Sequence, residues 1–250
     1  MILDKSWKFN TLNIYDYTKP GPYDYIFKYL REELPPENGD ILEAGTFHGR
    51  MTLSMAHFIS QVNPNATVHT FDTFAGFPSY SEMDSLGNFE ILRDAGLITS
   101  KHYDDFLTLR EFKESFTNRD VSVANISTSG DFSKADLNSL RKKIELLGLG
   151  NIRIYEGDFK DTMNDVTPIN RLGFAFLDCD LYQGYVDSLN FVDTKLNIDG
   201  VIFLDEYYSL KFPGPRFAVN TFLSLHENYK LKNIGKKQDD FERWILRKFK

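Results

Sequence analysis

Five short apolar runs, at 40–44, 67–71, 152–156, 173–177 and 200–204, constrain the fold of this chain more than any other feature. They are nearly continuous in apolar character rather than alternating, as strands are when helices cover both faces of a sheet. Segments with helical patterning lie between them, at 51–61, 134–147 and 185–196. In the second of these, Ala135, Leu137, Leu140, Ile144 and Leu147 fall close to one helical face, opposite Lys142, Lys143 and Glu145. Strands alternating with helices predict βαβ units, and so an α/β fold with a doubly wound, mostly parallel sheet. Two further strands, expected at 229–234 and 241–248, bring the sheet to seven. A helix is expected from Asp24 onward and is closed by Pro35-Pro36, which makes 1–35 a helical extension.

The rhythm breaks at 75–130, a stretch too long for a turn and without a clean strand pattern. Such a segment beside a strand end predicts an inserted lid, partly helical, with 105–116 as its helix. No Pro/Gly/Ser-rich linker divides the 250 residues, so 1–250 is expected to form one domain carrying that cap. A hydrophobic fraction of 42% supplies a core and excludes a disordered chain. The 29 basic against 36 acidic side chains leave a net charge of −7, which disfavours nucleic acid as a partner. No apolar run approaches the roughly 20 residues of a membrane helix, and the first ten residues lack the apolar stretch of a signal peptide. Cys179 is the one cysteine, so no internal disulfide can form. These features lead us to expect a cytoplasmic protein with no membrane partner.

In an open parallel sheet, ligands bind beyond the carboxyl ends of the strands, where strand order reverses. Those ends read Glu43-Ala44-Gly45-Thr46-Phe47-His48-Gly49, Asp72-Thr73-Phe74, Gly157-Asp158-Phe159, Asp178-Cys179-Asp180 and Asp205-Glu206. Each carries a carboxylate. The first turn has two glycines that let a ligand approach backbone at the start of a helix, but not the GxGxxG spacing of a pyrophosphate cradle. Asp72, one strand further on, suits ribose hydroxyls. A nucleoside without a pyrophosphate fits best, and S-adenosylmethionine is such a ligand, its sulfonium matched to an acidic cleft. A tight turn with a helix cap would use the same glycines.

Adjacent strands lie about 4.8 Å apart, so Asp178, Asp205 and Glu206 can surround one point. Three anions that close call for a cation, and oxygen ligands without His or Cys point to Mg²⁺ or Mn²⁺. Pairing with Arg216 and Lys211, or helix capping, would account for the same residues without a metal. Asp180, two residues beyond Asp178, would face the same side if the strand continues, and could serve as a general base. His48 and His102 are rival bases. Tyr182, Tyr207 and Tyr208 flank the site and could stack on a sugar ring. Cys179, between the two aspartates, should face away as a small buried residue.

The blocks Phe174 to Tyr182, Gly200 to Tyr207, Leu42 to Gly49, Thr70 to Pro78 and Tyr155 to Thr162 resemble the macrocin O-methyltransferase (TylF) family, in the same order and spacing. The resemblance covers about Asp40 to Phe222. It implies a Rossmann-like class I S-adenosylmethionine-dependent fold and metal-dependent methylation of a hydroxyl, often on a sugar of a glycosylated small molecule, by a homo-oligomer. By motif position, Glu43, Gly45 and Asp72 fall where that family binds the methyl donor. Asp178, Asp205 and Glu206 fall on its metal ligands, and Asp180 on its proposed base. The family usually has Asp-Asp where this chain has Asp205-Glu206. Two other readings compete: an NAD-type oxidoreductase, and a nucleoside-binding module without activity.

Overall fold

The computed structural model describes residues 3–34, 39–164, 167–235 and 241–249. The expected stop at Pro35-Pro36 lies outside them. Two helices open the chain, α1 (Ser6–Leu12) and α2 (Asp24–Glu32), followed by β1 (Asp40–Ala44), α3 (Arg50–Val62) and β2 (Val68–Asp72). The insert then contributes a 3₁₀ turn (Glu82–Asp84), α4 (Asn88–Asp94) and α5 (Ser100–Thr117). After it come α6 (Leu137–Leu147), β3 (Ile152–Glu156), α7 (Phe159–Thr162), β4 (Leu172–Leu177), α8 (Tyr182–Lys195) and β5 (Leu196–Ser209). The chain closes with α9 (Gly214–Leu225), β6 (Tyr229–Asn233) and β7 (Phe241–Lys248).

The seven strands form one sheet in the order β3-β2-β1-β4-β5-β7-β6. The first five run parallel, and β7 is antiparallel to both neighbours. Strand order reverses between β1 and β4, and the sites of open α/β sheets form at such a reversal. One face buries Ile41, Val68, Phe174, Phe176, Val201 and Phe203 against α2 and α3. The other buries Leu42, Phe71, Ala175, Leu177, Ile202 and Leu204 against α8 and α9. Alternate residues of the same strands therefore serve opposite faces, and this two-sided burial made the runs continuous.

The boundaries depart from expectation where side chains act as caps. Asp136 accepts a hydrogen bond from Ser139 N at 2.9 Å, so α6 begins at Leu137 and leaves Lys134 and Ala135 outside it. Helix α8 starts at Tyr182 rather than Tyr185, and α5 runs from Ser100, where Thr99 caps His102 N. Strand β5 does not end at Leu204. It continues to Ser209 because β7 pairs its far half, with Tyr208 opposite Glu242.

The insert has a core of its own. Leu86, Phe89, Leu92, Ile98 and Phe106 pack on Leu181, Tyr208, Leu210 and Phe212. Asp84, 1% exposed, accepts Tyr182 N at 2.7 Å and Ser81 N at 2.9 Å, and so supplies the cap that Leu181, the N-cap residue of α8, lacks. Arg216 Nη2 donates to Leu97 O, and His102 Nε2 lies 3.0 Å from Ser209 O. Among the described residues, no helix is long and apolar enough to cross a membrane.

Candidate active site

A cavity of about 460 Å³ opens at the strand-order reversal. Of the residues expected there, Glu43, Gly45, Thr46, Phe47, Asp72, Thr73, Asp158, Phe159, Asp178 and Asp180 line it. Ala44, Gly49, Phe74 and Gly157 do not; they shape the turns behind it. Gly45 has φ +91°, and a Cβ there would stand 1.9 Å from the carbonyl oxygen of Asp178. The ends of β1 and β4 are bonded that closely, with Asp178 N donating to Ala44 O at 2.9 Å. Gly49, at φ +74°, starts α3 and leaves room for Leu140.

Asp72 organises the turn. Its Oδ2 accepts from Thr46 N at 2.8 Å and Phe47 N at 2.7 Å, and its Oδ1 from Phe74 N at 2.6 Å. A carboxylate has about four lone-pair sites, so one remains for a ligand hydroxyl. Glu43 is 1% exposed and accepts from Thr52 and Thr70 hydroxyls. Burial, with Asp178 nearby, holds it well above the ordinary carboxylate range. Asp158 caps α7 through Lys160 N, and Gly157 (φ +145°) turns the chain ahead of it.

Beside this cavity, carboxylate oxygens of Asp178, Asp205 and Glu206 lie within 4.8 Å of one another. Asp178 is the one that also lines the cavity. Asp205 and Glu206 are consecutive on β5, where the ladder with β7 is irregular between Leu204 and Tyr208. Asp205 meets Arg243, with Nη1 at 3.7 Å from its Oδ1, whereas Glu206 accepts from Tyr185 Oη at 2.8 Å. Glu206 is also hydrogen-bonded to Asp178. Burial first, and then Asp205, push Asp178 up to about 7. Burial first, and then Asp178, hold both Asp180 and Glu206 well above the ordinary range. A cation placed among these groups would relieve that cost.

The profile of the methyltransferase domain family matches residues 42–207, which span β1 to β5. The chain belongs to this family. No curated protein sequence gives a significant match. Among solved structures, the O-methyltransferase NovP is similar at 17% identity and a TM-score of 0.61, over 97% of this chain and 80% of NovP. Calicheamicin methyltransferase CalS11 is similar at 16% identity and a TM-score of 0.61, over 98% and 94%. An O-methyltransferase from Bacillus cereus in complex with SAH gives 14%, 0.53, 100% and 94%. At these identities the structural likeness shows the fold, that of class I S-adenosylmethionine-dependent methyltransferases.

In this methyltransferase the donor set fits both implied groups. Glycine-formed turns and the acidic Asp72 and Asp158 face a cavity of nucleoside size. For a divalent ion, the trio offers hard oxygens, and the buried Asp205 Oδ1 has no hydrogen-bond partner among the described residues. The family assignment sets aside the NAD-type oxidoreductase.

Several expectations need correction. Strand β4 stops at Leu177, and Asp180 has φ +62°, so Asp180 reaches the cavity through a left-handed turn rather than by strand alternation. Cys179 borders the cavity, yet its thiol packs as expected of a small buried residue, against the apolar cluster and beside Gly184 of α8. The asparatate–glutamate pair lies within β5, not at its end. Arg216 does not pair with the carboxylates: its guanidinium lies 4.0 Å over the Tyr207 ring and bonds Leu97 O. The side-chain cation at Asp205 is Arg243. Tyr182, Tyr207 and Tyr208 do not line the cavity; Tyr207 donates to Asn220 and Tyr208 packs in the insert's core. His102 is buried in that core, while His48 lines the cavity, its pKa lowered by burial and then by Lys143.

Nothing in the sequence pattern points to Tyr23, which lines the cavity from the N-terminal extension, its ring 5.2 Å from the Arg243 guanidinium. Nor does it reveal Tyr185, buried on α8, whose hydroxyl meets Glu206 and Leu177 O. Tyr185 occupies a core position of a helix, where apolar periodicity alone cannot disclose a polar task.

Proposed function

We propose that this methyltransferase moves the methyl group of S-adenosylmethionine to a hydroxyl of a sugar or glycosylated small molecule, using a divalent ion held by Asp178, Asp205 and Glu206. The observation that carries this reading is the carboxylate trio beside the cavity, Asp205 and Glu206 buried and Asp178 half-buried, with Asp178 common to both. The macrocin-type blocks add support. So does the similar CalS11 structure described as a TDP-rhamnose 3′-O-methyltransferase, at 17% identity and a TM-score of 0.53.

The methyl donor supplies an electrophilic methyl on a sulfonium, and a bound Mg²⁺ or Mn²⁺ supplies Lewis-acid polarisation of a coordinated hydroxyl. The protein's part is mostly positioning. Gly45 keeps the wall between β1 and β4 free of side chain, and Asp72 and Asp158 offer acceptors for ribose and amino groups. Glu43 braces the turn from beneath through Thr52 and Thr70. Asp180 would take the acceptor's hydroxyl proton at a carboxylate oxygen as the methyl passes from sulfur to oxygen, the carbon–sulfur electron pair staying on the departing thioether. Tyr23 and Phe47 give the cavity aromatic faces, and Phe77 and Phe132 bring aromatic faces from the two ends of the insert.

Methyl transfer from labelled donor to a set of sugars with vicinal hydroxyls tests this reading, alongside calorimetry with S-adenosylhomocysteine. Excess chelator should abolish transfer while leaving the calorimetric affinity largely intact. Full transfer in excess chelator would remove the metal from the mechanism.

A further inference from the structure

The acidic trio has a side-chain cation of its own. Leu204 of β5 pairs with Trp244 of β7, which brings Asp205 alongside Arg243. The two side chains are only 10% and 17% exposed, and Nη1 stands 3.7 Å from Oδ1. The guanidinium is fixed from the other side by the Tyr23 ring, 5.2 Å away. Arg243 therefore reaches the trio from outside the β1–β5 segment that the methyltransferase family spans. It meets Asp205 directly, and the charges of Glu206 and Asp178 also favour its charged form.

We infer that Arg243 is a built-in counter-cation that shares Asp205 with the divalent ion and sets how tightly that ion is held. The inference rests on the metal reading above. Three carboxylates carry three formal negative charges, and Arg243 removes one. Counted over these four side chains, the two charges that remain match those of a divalent ion. Without the ion, Arg243 limits the mutual repulsion of the carboxylates. With the ion, it lies close enough to the Asp205 ligand to repel the metal and draw on its donor oxygen, since charges this near interact strongly away from bulk water. The consequence is an exchangeable ion rather than a permanently bound one.

Calorimetric titration with Mn²⁺ alone, on the metal-free protein, tests this without an acceptor. Arg243→Met should bind Mn²⁺ at least ten-fold more tightly than the unaltered chain. Arg243→Lys, which keeps the charge, should stay within about three-fold. Metal-free Arg243→Met should melt lower, and Mn²⁺ should raise its Tm by more than it raises that of the unaltered chain. If Arg243→Met does not fold, Arg243→Gln drops the same charge and should tighten binding in the same direction. Asp178→Asn introduced with either change should abolish the binding, which places it at the trio. Binding that is unchanged or weaker in the neutral variants, with the unaltered chain binding Mn²⁺, would overturn the inference. Binding by the neutral variants but not by the unaltered chain would support it in its strongest form, with Arg243 standing in for the ion. No binding by any of them would end both the inference and the metal reading.

Discussion

The strand ends and the insert both border the cavity, but they are held by different means. At the strand ends, backbone does the placing. Gly45 N donates to Phe71 O, Asp178 N to Ala44 O and Gly157 N to Asp72 O, so each candidate residue takes its position from the ladder of its neighbour. In the insert, side chains do the placing: Asp84 on the start of α8, Arg216 on Leu97 O, His102 beside Ser209 O, and an aromatic core between them. A ladder is shared by all parallel sheets and is rigid against most substitutions. A set of side-chain latches is particular to one sequence and can be undone one residue at a time. The two regions should therefore differ in which kinds of change they tolerate.

Gly45→Ala should have the largest effect. A left-handed backbone costs a non-glycine residue about 1–2 kcal/mol, and overpacking costs about 1–3 kcal/mol more. Here the added carbon meets backbone, the Asp178 carbonyl at 1.9 Å, and backbone cannot rotate aside. We expect a loss of several kcal/mol, on the order of 2–5 kcal/mol, with S-adenosylhomocysteine binding lost as β1 and β4 separate. Thermal unfolding and calorimetry check this. Near-unaltered stability would mean that the ladder yields as easily as a latch, and the contrast between the regions would fail.

The same contrast explains what could be read from the sequence. All seven strands are where expected, within a residue or two except at β5. In β1, β2 and β4 burial on both faces writes itself into consecutive residues, whereas the edge strands β3 and β6 are only partly buried. The acidic strand ends follow from the same pattern, and most of them do line the cavity. The extension of β5 to Ser209 was not legible, since it depends on pairing with β7, a partner distant in sequence. Arg243 and Tyr23 were missed for the same reason: both reach the site from elements outside the βαβ core. Asp180 was placed in the cavity on a mistaken premise, because no local signal announced its positive φ. In the insert, the expected helix 105–116 covers α5 except its first turn and last residue, and nothing in the pattern marks Asp84 as a cap for a helix 98 residues away.

Asp84→Ala tests the latch. It leaves Tyr182 N and Ser81 N without their acceptor, and a buried donor without a partner costs about 1–3 kcal/mol. We expect a loss of roughly 2–3 kcal/mol, smaller than for Gly45→Ala because water can reach the turn at Ser81. The pH dependence has a definite sign. Burial raises the Asp84 pKa above its ordinary 3.8, so the folded chain binds this proton more tightly than the unfolded chain. The stability that Asp84 adds is then greatest below the ordinary carboxylate range and shrinks as pH rises through the raised value. Denaturant unfolding of both proteins at several pH values should show the gap narrowing upward. A gap that widens with pH would mean that the carboxylate, held by its two N–H donors, is the favoured form.

The smallest effect is expected from Gly130→Ala, at the far end of the insert. Its φ of +67° is as left-handed as that of the strand-end glycines, yet a Cβ there would meet nothing within 4 Å. Conformational strain of about 1 kcal/mol is then the whole cost, part of it offset because alanine also restricts the unfolded chain. For a chain of this size that corresponds to a fall in Tm of about 2–4 °C. Gly45 and Gly130 thus share a backbone conformation and differ in surroundings, so the difference between their alanine variants isolates what packing at the strand ends adds to conformational strain. A Gly130→Ala loss as large as that of Gly45→Ala would show that the insert presses on this turn as closely as β4 presses on β1. The comparison between ladder and latch would then have to be redrawn around the turn at Gly130 and Phe132, which itself has φ +61° and borders the cavity.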